Sequence, residues 1–309
     1  MNKKPLVGYG SQFALLIGIF GVSLVLSSFL MGFIAAEVLN KPLLRAGSEL
    51  LKPENANLAR VLNTVATFIS FFIPAWIVAK ISNTNPLNSL GFNKQLSNKQ
   101  IGIVVLITIA ALFLSGSLAE LNEKIPMPAT FIKKARALEE LYKNAMLSMA
   151  TMNNVGDYLL SLLVIALAPA IFEEVFFRGA LQNILIGWTK HVWLGIILTS
   201  IVFSAVHGSY FGFLPRVGLG IVLGLVYFNS KNIWLNITMH FLNNAIIVTQ
   251  MYYLTRMGKS IDKAMDETMP IWFGIFAIIG LVIFFKLFTI ESDKVKSKNQ
   301  STQHYELVD

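Results

Sequence analysis

The chain alternates long apolar runs with short polar joints. The runs have the length of a bilayer crossing rather than of a buried strand. A helix that spans the hydrocarbon core needs ~20 mostly apolar residues. Residues 5–36 carry no charged side chain. The run from Phe13 to Ala36 exceeds the ~7–15-residue core of a signal peptide, which predicts an uncleaved first span. A second span is expected between Arg60 and Lys80, and a third between Lys99 and Glu120. The fourth starts at Tyr158, meets Glu173-Glu174, and resumes at once to about Trp188. Further runs cover His191–Val206, Phe213–Phe228, Ile233–Leu254 and Pro270–Ile290. The pattern predicts an all-α polytopic membrane protein of about eight transmembrane helices in one bundle.

Residues 121–156 break the pattern. From Thr130 to Met149, Ile132, Ala135, Leu138, Leu141, Tyr142, Ala145 and Met149 recur at helical spacing, with Lys133, Lys134, Arg136, Glu139, Glu140 and Lys143 between them. This reads as an interfacial helix or an extramembrane lid. The chain thus divides into 1–154 (membrane helices plus the amphipathic segment), 155–254, 255–290 (the last span) and a polar tail, 291–309, expected to fray.

Composition supports the membrane reading. Of 309 residues, 55% are hydrophobic and 14% charged, against about 25% charged in soluble domains. Mean hydropathy is +0.62. Soluble, disordered, collagen-like and coiled-coil classes are excluded. There is no cysteine, which removes disulfides, thiolate metal sites and a cysteine nucleophile. The net charge of +8 sits in loops and tails without a basic aromatic groove, so lipid headgroups rather than nucleic acid are the expected partner. Lys3, Lys4, Lys94, Lys99, Lys294, Lys296 and Lys298 lean towards both termini lying in the cytoplasm.

Charge inside a span costs ~2.5–3.5 kcal/mol on insertion scales and marks function. The ionisable residues within spans are Glu173, Glu174, Arg178, His207, Arg216 and His240, all in the second half of the chain. Glu174 and Arg178 are four apart and can pair on one helix face. Glu173 is rotated about 100° from them and left free, as a general base for water would be. Phe203 and His207 share a face, as do His240 and Asn244, with Asn236 one turn earlier. A turn at Trp188–Lys190 would set Glu173 and His207 level, roughly 20–25 Å from the turn at 1.5 Å per residue. His191 and His304 lie at an interface and in the tail. Arg216 is expected to snorkel to the interface.

Glu173-Glu174…Arg178, then Phe203…His207, then His240…Asn244, on three successive spans, resembles the CPBP intramembrane protease family. This is the Abi or CAAX-protease family, which includes the type II CAAX prenyl endopeptidases and bacteriocin-immunity proteins of bacteria. The resemblance covers about residues 155–250. It implies an intramembrane catalytic cavity and peptide-bond hydrolysis, a metalloprotease in the family's usual label. By motif position Glu173 would activate water with His207, and His240 and Asn244 would stabilise the oxyanion. Glu174, Arg178 and Phe203 would support them. Where a divalent metal such as zinc takes part, Glu173, His207 and His240 are its implied ligands. There is no His-Glu-x-x-His. The implied partner is a membrane-associated peptide or protein, in a bacterial inner membrane. The competing reading is a non-catalytic immunity or scaffold protein on the same fold.

Overall fold

The computed structural model describes residues 5–259 and 268–305, and these are helical with short joints. Ten helices organise them: α1 Tyr9–Leu39, α2 Leu43–Leu50, α3 Pro53–Ser82, α4 Asn98–Glu123, α5 Ala129–Met149, α6 Val155–Thr189, α7 Val192–Ala205, α8 Phe213–Ser230, α9 Ile233–Arg256 and α10 Ile271–Tyr305. A four-residue turn of helix, Pro86–Ser89, lies between α3 and α4.

All eight apolar runs form helices, but they are not equal. Six (α1, α3, α4, α6, α8 and α10) are long and apolar enough to cross a membrane. Helix α7 has only 14 residues, because the chain turns at Val206. Helix α9 has 24 residues, yet Asn236, His240, Asn243 and Asn244 interrupt its apolar character, and it is not among the six. The eight expected spans are therefore six clear ones, one short and one polar-striped.

The outermost helix shows the packing logic of a membrane. On α1 the buried positions are Gln12, Leu16, Ser23, Ser27, Met31 and Ala35, one narrow face. Val22, Leu26, Phe29 and Phe33 are exposed. Apolar bulk faces outward and small or polar residues face inward, where Ser27 and Ser70 bond at 3.0 Å.

Three helical stretches widen to π geometry: Phe68–Phe72 in α3, and Leu162–Leu167 and Val175–Gln182 in α6. The first two stand just before Pro74 and Pro169. Proline offers no N–H and its ring crowds the preceding turn, so the helix opens there. The third has no proline and carries Arg178.

Helix α6 is the hub of the bundle. Its Val175, Phe176, Phe177 and Leu181 pack with Leu16, Val78, Phe203, Tyr227 and Ile237. A second core joins Val104 and Ile107 of α4 to Leu223, Val226, Met239 and Phe288. Small residues on α8 allow close approach: Gly220 lies against Ser200 of α7, and Gly224 against Ile196 and Gln182. The turn at Trp188–Lys190 forms as expected, with Lys190 left-handed at φ 62°.

One expectation changes here. The tail does not fray at residue 291, since α10 continues to Tyr305. Ser97 Oγ donates to Glu291 at 2.8 Å and Gln100 Nε2 to Ser292 at 3.0 Å, which ties that stretch to the start of α4. On α5, Ala135 and Met149 are buried, but Leu138 and Leu141 point outward, 57% and 63% exposed. That outward apolar pair suits a helix lying in an interface.

Candidate active site

Glu174 is the centre of the buried polar network. Its Oε1 accepts from Arg178 Nη1 at 2.7 Å and lies 2.8 Å from Nδ1 of His240. Its Oε2 is 3.3 Å from Nδ2 of Asn236. Glu174 and Arg178 are wholly buried. The expected ion pair one turn apart is therefore present, inside the wide turn of α6. A lone charge here would be prohibitive, and the partners make it tolerable.

The network reaches α8 through its glycines. Arg178 Nη2 donates to the Gly220 carbonyl at 3.3 Å and Gln182 Nε2 to Gly224 at 3.0 Å. Asn236 Nδ2 donates to the Leu223 carbonyl at 2.7 Å. These bonds fix α6, α8 and α9 together around one carboxylate.

Glu173 is different. It is half-buried, and its Oε2 is shielded from solvent with no hydrogen-bond partner among the described residues. It lies within electrostatic range of His207 and of Arg178. The two neighbouring glutamates thus divide as their rotation about the helix requires: one bonded, one free.

His207 does not lie on the body of α7. The helix ends at Ala205, and His207 sits in the turn beyond it. Its Nδ1 lies 2.7 Å from the Phe203 carbonyl, a bond across the last turn. A carbonyl only accepts, so Nδ1 carries the proton and Nε2 keeps its lone pair. Gly208 follows at φ +66°, a left-handed conformation that a side chain resists. It lets the chain turn at once.

Phe203 separates the basic groups. Its ring stands 5.0 Å from that of His207 and 6.1 Å from that of His240. The guanidinium of Arg178 lies over it at 4.7 Å. Asn244 is half-buried and accepts from Asn243 Nδ2 at 3.2 Å. The inner part of the site is closed, while Glu173 and His207 are half-buried. An apolar groove of about 870 Å³ lies elsewhere, lined by residues of α4, α8 and α10.

His240 bonds to Glu174. Among the described residues no three His, Asp or Glu side chains are gathered closely enough to hold a metal ion. Glu173, His207 and His240 therefore do not fit a metal as they stand.

Several participants escaped the sequence reading. Gln182 lies four residues after Arg178, and that spacing was its signal. Asn236 was visible as part of a polar stripe without a role. Helix α5 covers the His207 turn: Ser209 Oγ donates to Glu139 at 3.0 Å, and the Phe131 and Tyr210 rings are 5.2 Å apart. Arg216 lies near the start of α8, against α5. It is half-buried, its guanidinium 5.2 Å from the ring of Tyr142 on α5.

These features define an all-α membrane protein with a buried glutamate–arginine–histidine network and a free glutamate beside it. Residues 155–246, which carry all of it but α5, match the family described as type II CAAX prenyl endopeptidase Rce1-like. The resemblance read from the three motifs is borne out over that segment. The chain is also similar to an uncharacterized 24.3 kDa protein of Escherichia coli, 30% identical over 93 residues. The match covers 28% of this chain, and the chain spans 42% of that relative's length. No solved structure matches.

Proposed function

We propose that the protein is an intramembrane endopeptidase acting on a membrane-associated protein or peptide. The observation that carries this reading is Glu173: a carboxylate oxygen buried beside His207 with no partner, next to a glutamate whose partners are complete. The family match over residues 155–246 supports the same class of reaction.

The chemistry follows from the hydrogen bonds. Water placed between Glu173 and His207 is oriented by the free Nε2 of His207 and gives a proton to Glu173. Its oxygen adds to the scissile carbonyl carbon, and negative charge moves to the carbonyl oxygen. The Asn244 amide N–H is offered to that oxyanion, with His240 held beside it by its bond to Glu174. The C–N bond then breaks, and Glu173 returns the proton to the leaving amine. Glu174 and Arg178 are positioning residues. Phe203 holds the two imidazoles apart. A bacterial plasma-membrane setting with cytoplasmic termini fits the charge pattern of the joints.

The test is N-terminal peptide mapping of membranes that hold wild-type protein or Glu173→Ala at equal levels. New termini seen only with wild type are the expected result. Identical maps, together with a wild-type phenotype in the variant, would sink the endopeptidase and leave the immunity or scaffold role.

A further inference from the structure

Helix α10 carries one charge inside its apolar run. Between Ile271 and Ile290 the single charged side chain is Lys286. It is exposed, and its ammonium has no hydrogen-bond or ion-pair partner among the described residues. The carboxylates that follow it on the helix are engaged elsewhere. Glu291 accepts from Ser97 Oγ at 2.8 Å and lies 4.0 Å from Lys99, and Asp293 pairs with Lys296 at 3.4 Å. Charge within a span is costly, so an unpaired one calls for a reason.

The reason lies in what Lys286 lines. It stands in the apolar groove of about 870 Å³ between α4, α8 and α10. The α8 wall is one stripe: Gly218, Ile221, Val222, Leu225 and Asn229. The opposite face of α8 presents the Gly220, Leu223 and Gly224 carbonyls to Arg178, Asn236 and Gln182. Neither Glu173 nor His207 lines the groove, so a molecule in it lies behind α8. From Gly218 to Asn229 is eleven residues at 1.5 Å each, about 16 Å. That is the depth of one leaflet's hydrocarbon, half of a ~30 Å core.

The two ends of the groove differ. Leu118, Gly218 and Ile278 line one end, and Asn229, Lys286, Thr289 and Trp193 the other. Thr289 Oγ1 bonds to Asn229 Oδ1 at 3.2 Å. Trp193 is 60% exposed, as tryptophan is at a headgroup boundary. Lys286, five residues before Glu291, lays its stem on apolar surface and lifts its ammonium to that level. The same end of the bundle gathers Lys94, Lys99, Lys231, Lys294 and Lys296. There Asn232, just past α8, donates to the Asn93 and Gln95 carbonyls, and Ser97 binds Glu291. We propose that the groove holds an anionic phospholipid, with an acyl chain between α8 and α10 and the phosphate on Lys286. The slot is one leaflet deep, and a free ammonium within a basic rim ends it at headgroup level. The proposal stands apart from the endopeptidase reading.

The experiment uses the purified full chain, stripped of lipid in detergent, and native mass spectrometry. The probes are phosphatidylglycerol and phosphatidylcholine with identical acyl chains. Wild type should bind a first phosphatidylglycerol at least about tenfold more tightly than phosphatidylcholine, the worth of a charge-assisted bond. Lys286→Gln should erase that preference. Lys94→Gln removes an exposed charge from the same end but outside the groove, and should keep it. Leu225→Trp fills the groove and should remove the tight first site with every lysine in place, which serves should Lys286→Gln not fold. Equal binding of the two lipids by wild type, a preference that survives in Lys286→Gln, or a tight site that persists in Leu225→Trp would overturn the proposal. So would a preference that Lys94→Gln lowers as much as Lys286→Gln, since it would belong to the charge of that whole end. A dimer in the same spectra that Leu225→Trp splits would place a second copy of the chain in the groove and overturn it too.

Discussion

Glu174 and His240 stand on different helices, and their 2.8 Å contact is one of the bonds that join α6 to α9. Glu173, one residue earlier, takes no part in it and keeps a buried oxygen unpaired. Glu173→Gln keeps size and polarity but cannot accept a proton. Cleavage should fall at least about a thousandfold while the melting temperature stays within a degree or two. Turnover of a mapped substrate and thermal unfolding in detergent together check it. Turnover retained at a tenth of wild type would remove Glu173 from the role of base.

Glu174→Ala should behave in the opposite way. It strips the partner from Arg178, a wholly buried guanidinium. Breaking a buried pair by removing one member costs about 3–5 kcal/mol. We expect low yield, early melting and aggregation. The double variant Glu174→Ala/Arg178→Leu removes the stranded charge and should recover part of the melting temperature. No recovery would mean that the pair matters through more than charge compensation.

Gly208 turns the chain directly after His207 at φ +66°. Alanine there costs about 1 kcal/mol in backbone strain. The strain falls on the residue whose ring must be held against the Phe203 carbonyl. Gly208→Ala should therefore lower kcat more than stability. Gly258 has the same φ but lies beyond α9, away from the site. Gly258→Ala should cost similar stability with unchanged kcat, which makes it the matched control.

Arg60 ties the cover helix to the bundle. It is buried in α3 and donates to the carbonyls of Met149, at 2.8 Å, and Thr151, and to the Asn57 side chain. Both carbonyls lie at the end of α5. Arg60→Ala should loosen that helix at a cost of about 3 kcal/mol, since bonds to a charged donor are worth ~1.5–3 each. Limited proteolysis should show faster cutting at Lys133, Lys134 or Arg136 while the Glu174 network holds. Unchanged cutting would mean that the contacts to the Tyr210 turn alone retain α5.

Much of the molecule is legible in the sequence because membrane helices announce themselves by length and apolarity. The motif residues announce themselves by being charged where charge is costly. The ion pair of Glu174 and Arg178 follows from their spacing alone. What could not be read is what depends on other elements. His240 could face either glutamate, and only the packing of α9 on α6 selects Glu174. The packing of Arg216 over Gly212 and against Tyr142 depends on α5 and could not be read from the sequence. The end of α7 before His207 is legible, since the apolar run stops at Val206 and the helix ends at Ala205. The helical run past residue 291 was missed because its polar sequence gave no sign of the bonds to Ser97 and Gln100.

The resemblance implies zinc ligands that the fold does not gather. Glu173, His207 and His240 would have to converge, yet Nδ1 of His240 is engaged by Glu174 and Nδ1 of His207 by a carbonyl. Each imidazole keeps only Nε2, and the Phe203 ring stands near both. Such second bonds are also what ligating histidines make, so the chemistry of the donors is suitable while their spacing is not. Cleavage is therefore expected to persist after exhaustive dialysis against EDTA and in 1,10-phenanthroline. The check is kcat/KM on a mapped substrate before and after chelation, with metal content measured in parallel. Loss on chelation that zinc alone restores would mean that the three side chains close around a metal in the working enzyme. His207 and His240 would then bind through Nε2, and Glu174→Gln, which weakens the bond that orients His240, should weaken zinc binding.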